Sequence, residues 1–288
     1  MRRVAVATFA RGDLDLDGPV LMHELARAGV EAHWCAWDDD SVAWDSFDLV
    51  VLRSTWDYTN DLDAFLAWAK QVPRLVNPYE VVAYSSDKHY LADLAAHGIA
   101  TIPSHFCDVG DEPDFPDGDV VVKPTVGAGS IDAERFSADE GALARAHVRA
   151  LHGRGRDALI QPYVHSVDRR GERAVIYVDG AFSHAMTKGA MLNASAHDRD
   201  VVFRRAQMSL AYDGPDEFAR REPGALALAD EVLRVKGLSH LLYARVDLVE
   251  VGDAWAVMEL ELIEPSLFLT YYAPAAARLA RAIARQAR

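Results

Sequence analysis

Two apolar runs near the C-terminus, YARVDLV (residues 243–249) and AVMELELIEP (residues 256–265), carry three carboxylates between them: Asp247, Glu259 and Glu261. Twelve residues lead from Asp247 to Glu259, which predicts two antiparallel strands joined by the polar turn Glu250 to Asp253 and brings the three acids together. Strand alternation puts Glu259 and Glu261 on one face and Met258, Leu260 and Leu262 on the other. One face is then core and the other a charged floor. Acids forced together on apolar strands need a cation, and oxygen-only donors with no His or Cys nearby suit hard Mg²⁺. An ordinary solvated face is the alternative for any isolated E-x-E. Here the apolar flanks and the pairing of Arg245 with Asp247 favour a metal.

The chain around this hairpin has 288 residues, half of them hydrophobic, enough to bury a large core. A formal charge of -14 and a pI near 5.2 exclude a general nucleic-acid or anionic-membrane binder, because the long-range field is repulsive. Any phosphate ligand must therefore be held by local basic groups. Cys35 and Cys107 are too few for a disulfide framework and too far apart for a metal motif, which suggests a reducing, cytoplasmic setting. The first residues lack the pattern of a signal peptide, and no apolar stretch approaches membrane-spanning length.

Short strand-like runs at 4–10, 31–37 and 49–55 alternate with helical patterns at 19–29 and 60–71, which predicts a small parallel-sheet α/β domain. Ligands of such sheets gather outside the C-terminal strand ends, where RSTWDY (53–58) falls. A plain capped helix start, with Ser54 or Thr55 as cap, explains that segment equally well. The stretch SSDKHYLADLAAHG reads as one helix capped by Ser85 or Ser86. Strands at 120–124 and 158–164 and a hairpin turned by Asp179-Gly180 come next, then an aperiodic loop at 189–200.

Lys123 ends the apolar strand VVVKP and precedes the loop TVGAGSID, whose Gly127 and Gly129 let backbone amides approach an anion. A lysine at the edge of a core wants a phosphate or a carboxylate. The loop matches neither the Walker P-loop nor the dinucleotide fingerprint, and a snorkelling lysine is the plainer reading of Lys123 alone.

Taken in order, Lys88, Lys123 in VVKP, the Gly-rich loop, QPYV, G-E-R, a basic residue on a later strand, R-x-D and E-x-E before a proline resemble the ATP-grasp superfamily over roughly residues 80 to 270. The resemblance implies an ATP-grasp fold, α+β, preceded by a parallel-sheet α/β domain. Residues 1–84 would form that N-terminal domain and 85–288 the ATP-grasp module, with a lid subdomain near 118–180 and a metal-bearing subdomain near 181–288. It further implies that Lys88 and Lys123 contact ATP phosphates under loop residues Gly127, Ala128, Gly129 and Ser130. Gln161, Pro162, Tyr163 and Val164 would meet the adenine, and Glu172 the ribose or adenine edge. Asp247, Glu259 and Glu261 would hold Mg²⁺. The superfamily usually has E-x-N where this chain has Glu259-Leu260-Glu261, so the role of Glu261 is the open one: metal ligand, or partner of a cationic substrate group.

Within the superfamily, LVVLRSTWDY, FSHAMTK and YARVDLV followed by MELELIEPSLFL look like the group containing the cycloserine-forming O-ureido-D-serine cyclo-ligase. That likeness implies ATP-driven activation of an amino-acid-like carboxylate as an acyl phosphate, followed by attack of a nitrogen of the same molecule. Intermolecular ligation of the glutathione-synthetase type, a phosphotransferase, and a non-catalytic ATP-binding module are the competing readings. Arg245 and Lys188 are candidates to hold the transferred phosphoryl group. Arg53, Ser54, Thr55, Trp56 and Asp57, with Ser266, are candidates to recognise a small amino-acid-like substrate, cation to carboxylate and acid to ammonium. Loop 189–200 would close over the acyl phosphate and exclude water. His184 reads as a core histidine.

Overall fold

The alternation at the start of the chain forms a parallel sheet, β1 (Arg2–Thr8), β2 (Val30–Ala36), β3 (Leu49–Ser54) and β4 (Leu75–Val76), in the order β2-β1-β3-β4. Alternate residues of β1 serve two cores. Val4 and Val6 pack with Leu21 and Leu25 of α1 (Gly18–Arg27), while Ala5 and Ala7 pack with Phe65 and Ala69 of α2 (Leu62–Gln71). The computed structural model of the chain describes residues 2–10, 15–190, 192 and 210–287. No helix among them is long and apolar enough to cross a membrane.

The helix expected over 85–98 is shorter: α4 (Tyr90–Ala96) starts only after Lys88, and a separate helix, α3 (Tyr79–Ser85), ends where the expected one was to begin. Neither serine caps: Ser85 Oγ donates to the Leu260 carbonyl at 3.2 Å and Ser86 Oγ to the Ala83 carbonyl at 3.1 Å. Lys88 therefore sits on the connection between helices, where its amide donates to the Thr125 carbonyl at 3.0 Å. That bond competes with helix continuation.

A second, antiparallel sheet is built from β5 (His105–Cys107), β6 (Val120–Pro124), β7 (Glu134–Phe136) and β8 (Ala158–Pro162), in the order β5-β8-β6-β7. Helix α5 (Gly141–His152) closes its core by setting Ala144, Val148 and Leu151 on Val120, Val122 and Ile160. The third sheet is also antiparallel: β9 (Glu172–Val178), β10 (Ala181–Lys188), β11 (Leu210–Asp213), β12 (Tyr243–Val251) and β13 (Ala254–Glu261), in the order β11-β10-β9-β12-β13. After the one-turn helix α6 (Val167–Arg170), helices α7 (Pro215–Arg221) and α8 (Pro223–Val235) cover one face of it, and α9 (Ala273–Gln286) packs between the other face and α1.

The first and third sheets are also joined by buried polar contacts. Asn77 is fully buried; its amide nitrogen donates to the Tyr243 carbonyl at 3.0 Å and the Leu262 carbonyl at 2.8 Å, and its Oδ1 accepts from the Leu242 amide at 3.2 Å. Asp17, at the start of α1, accepts from the amides of Leu267 and Thr270 at 3.0 and 3.3 Å.

Candidate active site

The β12–β13 hairpin sets the site. Its register places Asp247 directly opposite Glu259 and Arg245 opposite Glu261. A bulge between these pairs and Leu248, which faces Val257, leaves Met258 as the extra residue. Strict alternation therefore fails one step before the acids. Met258 turns away from Leu260 to pack with Val249, Ala256, Ile102 and Val164, and Val257 takes its expected place in the core. Glu259 and Glu261 still share one face. One oxygen each from Asp247, Glu259 and Glu261 lies within 4.8 Å of the others, an all-carboxylate set that fits a hard divalent cation.

Basic groups are threaded among these acids. Lys123, from the end of β6, reaches across to Glu259 with Nζ 2.8 Å from Oε1. Lys188, from the end of β10, lies 2.7 Å from Asp247 and 2.8 Å from Glu172, the first residue of β9. Arg245 forks onto Asp247, contacts Glu261 and donates to the Ser266 carbonyl at 3.1 Å. Asp247 is the most enclosed acid, its side chain 1% exposed against 26% for Glu259 and 29% for Glu261, so the two glutamates face the open cleft.

These contacts separate the three carboxyls. Burial raises all of them, but Lys123 and Lys88 hold Glu259 well below the usual carboxylate range, and Arg245 and Lys188 hold Asp247 down. Burial, with Asp247 and Glu259 as like-charged neighbours, pushes Glu261 up to about 7 against the pull of Arg245. Burial pulls Lys188 down, but Asp247 and Glu172 together raise it, so it stays an ammonium. Burial lowers Lys88.

Lys88 donates from Nζ to the Gly127 carbonyl at 2.9 Å and so ties the Gly loop to the floor. A Cβ at 127 would crowd Pro124 Cγ at 3.1 Å and come into contact with the Lys88 ammonium at 3.8 Å. Gly129 and Ser130 both take positive φ, +60° and +58°, which turns the loop back. Arg156 holds it from behind, donating to the Val126 carbonyl at 2.5 Å and to Asp132 at 2.8 Å.

Segment 161–164 leaves β8 beside an apolar cluster of Ile102, Val167, Val249, Ala256, Val164 and Met258, suited to a flat heterocycle. Gln161 is buried and donates to Ser104 Oγ at 2.9 Å, while the Tyr163 amide donates to the Asp119 carbonyl at 2.7 Å. The Arg135 guanidinium covers the Tyr163 ring at 3.7 Å. A cavity of 520 Å³ opens beside this segment, bounded by Ile102, Pro103, Tyr163, Val164 and Glu250.

The N-terminal candidates divide. Arg53, Ser54 and Thr55 are wholly enclosed: Arg53 lies 3.8 Å from Asp17 and over the Tyr243 ring, and Ser54 Oγ meets Thr8 Oγ at 2.8 Å. Arg53 Nε and Nη1 and Thr55 Oγ1 have no hydrogen-bond partner among the described residues. Asp57 accepts the Trp37 indole N–H at 2.8 Å, and so points to the aromatic core of its own domain. Trp56 reaches the other way, its indole N–H donating to the Glu264 carbonyl at 3.1 Å. Ser266 enters through its carbonyl, on Arg245. Loop 189–200 falls almost entirely outside the described residues. His184 is enclosed in the third sheet, where burial lowers it to about 4.

Sequence reasoning missed Glu264. It comes after the strand and so escapes the period-2 count, although it belongs to the same acidic run and precedes Pro265. Burial, and next Glu261, push it up to about 8.

The family model for the N-terminal domain of D-cycloserine synthetase DcsG matches residues 4–77. Over 289 aligned residues the chain is 38% identical to the cycloserine biosynthesis protein DcsG of Streptomyces lavendulae, covering 95% of this chain and 94% of that protein. The crystal structure of D-cycloserine synthetase DcsG superposes with a TM-score of 0.88 at 34% identity, over 99% of this chain and 100% of that one. D-alanine–D-alanine ligase from Bacillus anthracis, in its complex with ATP, superposes with a TM-score of 0.68 at 15% identity, over 100% of this chain and 97% of that one, a likeness of fold.

Proposed function

The chain belongs to the family of the cycloserine biosynthesis protein DcsG, ligases with the ATP-grasp fold, and from that membership we propose that it cyclises O-ureido-D-serine to D-cycloserine. The observation that carries the reading is the meeting of Lys123 and Lys88 with three carboxylates at the mouth of one cleft, in a chain alike to DcsG from end to end. The substrate carboxylate attacks the γ-phosphorus of ATP, the bond to the β-γ bridging oxygen breaks, and ADP leaves with that electron pair. The oxygen-bound nitrogen of the same molecule then attacks the acyl carbon and expels inorganic phosphate, closing the five-membered ring. Water removes the carbamoyl group as carbon dioxide and ammonia.

The chain's own part is positioning and charge. Lys88 and Lys123 bind the phosphate oxygens, and the amides of Gly127, Ala128, Gly129 and Ser130 cover them. Asp247, Glu259 and Glu261 would hold Mg²⁺, which neutralises phosphate charge when bound. Arg245 and Lys188 steady the transferring phosphoryl group and the developing oxyanion. Glu172 holds Lys188 in place and presents its second oxygen to the ribose. Gln161, Pro162, Tyr163 and Val164, with Met258 behind them, accept the adenine. The ring closes without a second substrate, so bound geometry supplies the effective concentration.

The test is incubation with ATP, Mg²⁺ and O-ureido-D-serine in the absence of any added amine, following ADP and product mass. Cycloserine formed in step with ADP supports the reading; a requirement for a second amine would select intermolecular ligation instead.

A further inference from the structure

Three cations on the floor have an acid, Lys123 with Glu259, Lys188 with Glu172 and Asp247, and Arg245 with Asp247 and Glu261, while Lys88 donates to the Gly127 carbonyl. Glu264 has no ion-pair partner among the described residues. Glu264 is half-buried, so its carboxyl is open to a cation that a ligand brings. It is also held in place. The Trp56 indole N–H grips its carbonyl at 3.1 Å, the Tyr243 hydroxyl donates to the preceding carbonyl of Ile263 at 2.7 Å, and Pro265 restrains the chain after it. Glu264 lies within electrostatic reach of Glu261, Lys88 and Arg245 and of Tyr58 and Tyr243. It thus stands where the phosphate lysine, the acidic floor and the wall of the N-terminal domain meet.

An amino acid whose carboxylate lies beside Arg245 and Lys188 carries its ammonium one carbon away, toward that wall. Asp57, the acid expected to meet it, is committed to Trp37 at 2.8 Å. Resting on the function proposed above, we propose that Glu264 binds the α-ammonium of the amino-acid substrate, with Trp56 fixing the loop that presents it. Ammonium at Glu264, carboxylate beside Arg245 and Lys188 and the ureido arm in the remaining space make three points of attachment, enough to distinguish the two enantiomers. N-acylated amino acids are excluded for want of a cation.

The test compares wild type with Glu264→Gln on O-ureido-D-serine and on its deamino analogue, 3-(ureidooxy)propanoate, reading ADP release. Glu264→Gln should raise KM for the amino acid on the order of tenfold or more, as loss of a charge-assisted contact does, while KM for ATP stays within about twofold. The deamino analogue should be handled equally by both proteins, because the contact is already gone. Glu264→Asp should recover part of the loss. Trp56→Phe, which removes the donor to Glu264, should raise the same KM to a smaller degree and keeps the proposal open to refutation if the Gln variant fails to fold. An equal penalty on both substrates, a fall in kcat alone, or no change would each overturn the assignment. Absence of O-ureido-D-serine turnover by wild type would instead bring down the function it rests on, and this assignment with it.

Discussion

Arg245 and Asp247 stand two residues apart on one face of β12 and are joined twice, Nε to Oδ1 and Nη2 to Oδ2, each at 2.8 Å. This fork, with Lys188 on the same carboxylate at 2.7 Å, makes Asp247 both a structural hub and a metal candidate. Its removal has two separable effects.

Asp247→Asn should lower kcat/KM by about a hundredfold or more through the lost metal oxygen, and should destabilise the fold by roughly 3–5 kcal/mol, because two buried cations lose their counter-charge. ADP release and urea unfolding read the two effects independently. Unchanged turnover would sink the metal role of Asp247.

Lys123→Met should raise KM for ATP on the order of tenfold or more, since its ammonium serves the nucleotide phosphates as well as Glu259. The KM for the amino acid should stay near the wild-type value. A variant with ordinary ATP kinetics would make Lys123 a partner of Glu259 and nothing more.

Glu261→Asn restores the E-x-N pattern usual in the superfamily. The variant should keep activity within about tenfold of wild type while needing more Mg²⁺ for half-maximal rate, because one anionic oxygen is lost from the floor. A loss beyond about a hundredfold would mean that the second glutamate does work an amide cannot.

His184 supplies a pH dependence of stability. Its folded value, about 4, lies below the ordinary 6.5, so between these the unfolded chain binds a proton that the native one refuses. Stability is therefore fully present above pH 6.5 and falls as pH drops toward 4, by up to about 3 kcal/mol. Urea midpoints at pH 7 and pH 5 should differ less in His184→Phe than in wild type; an equal difference in the two proteins would move the effect elsewhere.

Gly171 takes φ of +67°, and a Cβ there would lie 2.4 Å from the Lys188 carbonyl. Gly171→Ala should destabilise by more than about 1 kcal/mol and push apart Glu172 and Lys188, lowering kcat at the same time. Thermal melts and turnover would show the two losses together; a change in neither would contradict the close packing.

Features set by period and spacing were legible before any fold was known. The β12–β13 hairpin, its three acids and the parallel N-terminal sheet were all readable because alternation and turn chemistry are local. The bulge at Met258 was not, since an extra residue in one strand is decided by the partner strand. The break around Lys88 escaped because the competing acceptor, the Thr125 carbonyl, lies far along the chain. Glu264 was passed over because it acts from a loop. Arg53 and Asp57 were correctly placed near a strand end, but their partners Asp17 and Trp37 are supplied by tertiary packing that no spacing encodes.

Asn77 is the last residue of the segment that matches a family model of its own, and it is also the residue whose three hydrogen bonds end on Leu242, Tyr243 and Leu262. The boundary of inheritance thus runs through a buried polar knot, not through a linker. Excised alone, residues 4–77 would expose the α1 face that α9 covers and leave the Asn77 amide without partners. The segment matches a family model of its own, yet it and the β12–β13 hairpin should melt together in one transition.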